Sequence, residues 1–219
     1  MMLVHATAWR EAPGFPGGIT WGILGRNFLR PENRASMPVR RKLTYEDYLL
    51  FPEDGNRHEI LDGEHYVTAA PYPRHQSVVV QLTWWIESHL RQHRLGQLYV
   101  APVDVLLDRH DIVQPDLLFI SNASMKILTE KNIQGAPDLV VEVLSDSTRK
   151  RDEGIKLERY ELLGVQEYWV VDPKRHEARI YRRSGERLEQ TAELTTAARD
   201  LLTSPFFPGL EIPLFEIFL

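Results

Sequence analysis

Leu139-Val140-Val141-Glu142-Val143-Leu144 is the stretch that decides how this chain folds. Side chains alternate along a strand, so Leu139, Val141 and Val143 point one way and Val140, Glu142 and Leu144 the other. Both faces are apolar apart from Glu142, which places the strand at the centre of a covered sheet. An ionised carboxylate there costs several kcal/mol unless something compensates it.

Two other segments supply candidates for that company. Gln114-Pro115-Asp116-Leu117-Leu118-Phe119-Ile120 reads as a second apolar strand with one acid, Asp116, near its start. Residues Asp152 to Leu163 have helical spacing, and Gly164 is placed as the C-terminal stop. At about 100° per residue, Ile155, Tyr160, Leu162 and Leu163 form an apolar arc with Lys156 inside it. Two acids and one inward lysine, each set in its own apolar element, fit a metal site with an attendant cation. The same residues also fit a plainer reading, in which Asp116 caps a strand end and Glu142 and Lys156 form a buried ion pair without catalysis.

The 219 residues, 43% apolar and 26% charged, suit one main globular domain. The absence of cysteine excludes disulfides, thiolate metal sites and a cysteine nucleophile, and it fits a cytoplasmic location. A net charge of -5 gives no bulk attraction to nucleic acid, so a DNA or RNA partner needs a local basic surface. Arg149-Lys150-Arg151, directly after the Glu142 strand, and Arg179, Arg182 and Arg183 near a later hairpin are the candidates. No run approaches the ~20 apolar residues that span a bilayer, and the N-terminus lacks a secretory pattern. No membrane partner is expected.

Residues 1–36 are rich in Gly and Pro without a sustained period and read as a poorly structured extension; the domain is expected over residues 37–219. Thr44 is placed to cap a helix from Tyr45 to Phe51, ended by Pro52. Asp62-Gly63 between two short strands is a hairpin signal, with Glu59 on the first strand. His75 to Arg94 is helical, with Gly96 as stop; His75 is read as a cap or packing residue, and Trp84 and Trp85 as core or a subunit contact. Strands are expected at Gln97 to Ala101, Val103 to Leu107, Val113 to Ile120 and Glu167 to Asp172. The order of elements gives an α/β fold with a mixed sheet flanked by helices.

Several segments, in this order, resemble the Uma-two family of the PD-(D/E)XK nuclease superfamily: Tyr45-Glu46-Asp47-Tyr48, Glu59-Ile60-Leu61-Asp62-Gly63-Glu64, Gln114-Pro115-Asp116, Pro137 to Ser145, Lys156 with Tyr160, and Glu167 to Pro173. The superfamily pattern sets a lysine two residues after the second acid. That position is Leu144 here, and the resemblance implies that Lys156 on the following helix carries the role. It further implies a restriction-endonuclease-like fold and a metal-dependent endonuclease acting on nucleic acid, with DNA the expected partner.

On that reading Asp116, Glu142 and the carbonyl of Val143 ligate Mg²⁺, for which Mn²⁺ can substitute. Lys156 orients or deprotonates the attacking water, Glu59 adds a further acid, and Arg149, Lys150 and Arg151 hold the substrate backbone. Cutting both strands calls for a homodimer. Two other classes compete: a silent nuclease-fold module that binds nucleic acid or protein, and a two-carboxylate glycosidase, which needs an open cleft with aromatic platforms.

Overall fold

The computed structural model describes residues 41–218, so the expected extension over residues 1–36 lies outside it. Thr44 opens α1 (Tyr45–Tyr48), its backbone N–H and hydroxyl both donating to Asp47. β1 (Arg57–Leu61) and β2 (Glu64–Thr68) pair antiparallel with Leu61 opposite Glu64. Asp62 and Gly63 both take positive φ, 51° and 78°, the geometry of a two-residue hairpin.

α2 (Pro73–His93) buries Val78, Val79, Leu82, Ile86 and Leu90. It stops at Arg94, which turns left-handed at φ 52° and donates its N–H to Leu90, two residues before the expected Gly96. Gly96 instead opens β3 (Gly96–Val100), where a Cβ would run into the carbonyl of Ile120. Trp85 packs on the core, whereas Trp84 is exposed.

β4 (Val105–Asp108), β5 (Asp111–Val113) and β6 (Leu117–Ser121) follow. The strand expected over Val113 to Ile120 is thus two strands, split at Gln114-Pro115. Proline has no N–H to extend a ladder, and β5 and β6 pair into different sheets. β7 (Ile133–Gln134) precedes the decisive strand, β8 (Leu139–Val143), buried throughout. Helical structure then begins earlier than expected, with α3 (Arg149–Arg151), a π-helical turn (Asp152–Lys156) and α4 (Leu157–Leu163). Gly164 ends it at φ 99°. Leu162, expected in the buried arc, is 68% exposed.

β9 (Glu167–Asp172) has the expected bounds, and β10 (Glu177–Ser184) and β11 (Arg187–Thr195) form a hairpin. Among the described residues the strands form a six-stranded sheet, β11-β10-β9-β8-β6-β3, a five-stranded sheet, β2-β1-β5-β4-β7, and a small pair, β12 (Leu201–Leu202) with β13 (Ile212–Pro213). Both large sheets are mixed: β8 runs parallel to β9 and β4 to β7, while the other pairs are antiparallel.

β8 separates two cores. Leu139, Val141 and Val143 pack with α2 and with Phe207, Leu214 and Ile217 of the C-terminal segment. Val140 and Leu144 join Leu61, Val105 and Val113 of the second sheet and Tyr160 of α4. By alternation Glu142 lies on this second side, facing the second sheet and the helix.

Candidate active site

β6 and β8 pair antiparallel with Leu117 opposite Val141. One step further along that register sets Asp116 opposite Glu142, and alternation puts both on the second side of the sheet. Asp116 Oδ2 accepts from the backbone N–H of Val143 at 2.9 Å and from His75 Nε2 at 3.1 Å, and Oδ1 accepts from Arg57 Nη1 at 2.9 Å. Burial pushes Asp116 up, but His75, Arg57 and the Val143 amide together bring its pKa down to about 2. His75 moves the other way, since its bond to Asp116 outweighs the effect of burial.

Glu142 is held from the helical side. Its Oε1 accepts from Lys156 Nζ at 2.8 Å and from the Tyr160 hydroxyl at 2.9 Å. Lys156 and Tyr160 are four residues apart, so one helix face delivers both donors. Lys156 Nζ lies equally 2.8 Å from Glu59 Oε1, to which the backbone N–H of Gln114 also donates. Glu59 is fully buried. It faces the site and not solvent.

Burial raises Glu142 to about 8 against the pull of Lys156. Burial lowers Lys156, but Glu142, Glu59 and Asp152 outweigh it and hold its pKa above the ordinary value. Lys156 is therefore protonated near neutral pH. Four buried acids (Glu59, Asp116, Glu142, Asp152) stand among four basic groups (Arg57, His75, Arg151, Lys156).

These groups open on a cavity of about 210 Å³ lined by Arg57, His75, Asp116, Glu142, Asp152 and Lys156 among others. The Asp116 and Glu142 carboxylates that line it are oxygen donors of the kind a hard divalent ion takes. No group of three His, Asp or Glu is arranged to hold a metal among the described residues.

The basic triplet divides. Arg149 pairs with Asp172 at 2.8 Å and Glu153 at 3.2 Å. Arg151 lies 3.6 Å from Glu59 and donates to Thr68 Oγ1. Lys150 alone is exposed. Sequence reasoning passed over Arg57 and Asp152. Asp152 carried one usable signal, since its place four residues before Lys156 puts both on one helical face; Arg57 carried none, because its partner is 59 residues away.

The fold is restriction-endonuclease-like. A crystal structure described as that of "a putative nuclease belonging to DUF820 from Anabaena variabilis ATCC 29413" is similar with a TM-score of 0.66 and 19% identity, over 80% of this chain and 97% of that one. The family model described as "Uma2: Putative restriction endonuclease" matches residues 45–214, and the chain belongs to that family. None of the curated proteins compared with it matches. No helix among the described residues is long and apolar enough to cross a membrane.

Proposed function

We propose that the protein is a metal-dependent endonuclease that hydrolyses phosphodiester bonds of DNA at the cavity between β6, β8 and the Lys156 helix. The observation that carries this reading is that Asp116 and Glu142 line one cavity with a buried, protonated Lys156. Asp116, Glu142 and the carbonyl of Val143 would hold Mg²⁺ or Mn²⁺. When bound, such an ion neutralises phosphate charge and acidifies water.

The chain's own residues prepare that chemistry. His75 and the Val143 amide fix the orientation of Asp116, and Tyr160 fixes that of Glu142. Lys156 keeps its proton, which favours donation to developing negative charge over proton abstraction. Glu59 anchors the ammonium together with Glu142. Arg57 Nη1 occupies Asp116 Oδ1 and must turn aside when an ion is bound; it is then free for the substrate phosphate. Of the triplet, Lys150 is the residue free to contact the substrate backbone, while Arg149 and Arg151 hold the helix start in place. A homodimer would present two such sites to the two strands.

A silent binding module is the second reading. It is favoured by the full set of hydrogen bonds already made by Asp116. Cleavage of plasmid, linear duplex and single-stranded DNA with Mg²⁺ or Mn²⁺ separates the two. Cutting that disappears with EDTA and in Asp116→Ala is the expected result. Cutting that survives the substitution, or a wild-type protein that binds DNA without cutting it, contradicts the nuclease reading.

A further inference from the structure

Asp152 is 1% exposed, yet both of its carboxylate oxygens lack a hydrogen-bond partner. Among the described residues it is the one acid of which this is true. Burial raises its pKa against the opposing pull of Lys156. A buried carboxylate left in this state calls for an ion or a water. The cavity supplies the space, since Asp152 lines it together with Lys156, Glu142 and Asp116.

Lys156 narrows the choice. Its Nζ lies 2.8 Å from Glu142 Oε1 and from Glu59 Oε1, which leaves the third N–H of the ammonium. Asp152 Oδ1 is 3.8 Å from the same nitrogen, too far for a direct bond. One water closes that gap with two contacts of about 2.8 Å. The turn that sets this spacing is π-helical (Asp152–Lys156), a local irregularity frequent at functional sites. It is fixed by the Tyr168 hydroxyl, which donates to the Asp152 carbonyl at 2.9 Å.

We propose, building on the nuclease reading, that Asp152 is a catalytic residue: with Lys156 it holds the attacking water, and it takes that water's proton. As the water oxygen bonds to phosphorus, its O–H bond breaks and the proton passes to the Asp152 carboxylate. The bond from phosphorus to the leaving sugar oxygen breaks, and that oxygen takes a proton from solvent. Asp152 then returns its proton to solvent, and Lys156 stays protonated throughout. The water consumed is the only co-reactant.

An acid kept for architecture stabilises the fold through its hydrogen bonds, whereas Asp152 is buried with neither oxygen bonded. Asp152→Asn is therefore expected to cut linear duplex DNA with Mn²⁺ about 100-fold more slowly or worse, to melt no lower than wild type, and to bind Mn²⁺, followed by its electron paramagnetic resonance signal, as tightly as wild type. Cutting within about threefold of wild type overturns the assignment. A slow variant that has also lost Mn²⁺ binding overturns it in favour of a metal ligand, and one that melts lower overturns it in favour of a structural role. Failure of the wild type itself to cut defeats the nuclease reading, and Asp152's role falls with it. A cutting wild type beside an equally fast Asp152→Asn defeats the role alone.

Discussion

Glu142 on β8 and Glu167 at the start of the neighbouring β9 are almost equally deep, at 2% and 1% exposure, and burial raises both pKa values. Their surroundings differ. Glu167 accepts from Trp169 Nε1 at 2.7 Å, Arg182 Nε at 3.3 Å and Ser204 Oγ at 2.8 Å, so both of its oxygens are engaged. Those partners tie β9 to β10 and to the C-terminal segment. Glu142 receives both of its bonds on one oxygen and borders an open cavity beside Asp152, which has none. Depth and pKa direction do not tell these two acids apart; the cavity that borders one and not the other does.

The sharpest way to break this contrast is at Lys156. Lys156→Met is expected to lower cleavage by about 10²–10³-fold and to lower stability by about 3–5 kcal/mol, because Glu142 and Glu59 are left buried without their cation. Cutting at the wild-type rate by the folded variant would contradict the electrostatic role. Glu167→Ala gives the opposite profile. It should cost about 1–3 kcal/mol in denaturant melts through the orphaned Trp169 and Arg182 donors, with cleavage by the folded protein unchanged.

The pH dependence of melting sharpens the comparison further. Glu142 titrates near 8 in the folded protein against an ordinary 4.5, so its contribution to stability is complete below about 4.5 and is lost as pH rises through about 8. Without divalent ions the melting temperature should fall between pH 5 and 9, and Glu142→Gln should flatten that slope. Asp116 has the reverse sign, contributing above 3.8 and losing its contribution as pH falls through about 2. The smallest effect is expected at the surface. Lys150→Ala should weaken DNA binding uniformly across sequences and reduce the log–log salt slope by about one unit; an unchanged slope would remove Lys150 from the interface.

Much of this was legible in the chain because it is local. The alternation around Glu142, the hairpin at Asp62-Gly63 and the inward phase of Lys156 are each set within a few residues, and each appears in the structure. Glu59 was not legible as a buried group. Its strand sits in a second sheet, and the lysine that neutralises it lies in a helix far along the chain. Asp152 carried a signal that went unused: four residues before an inward lysine, it shares that lysine's helical face, and the packed fold shows it buried at the cavity. The pairing within the basic triplet was hidden for the same reason as Glu59, since acids from distant strands take up two of its three charges.

The central claim is that Asp116 and Glu142 share one hard ion beside Lys156. Anomalous diffraction from crystals soaked in Mn²⁺ tests it most directly. The account predicts a single strong peak roughly 2.1–2.2 Å from a carboxylate oxygen of each acid; soaked crystals with no peak touching both carboxylates would contradict it.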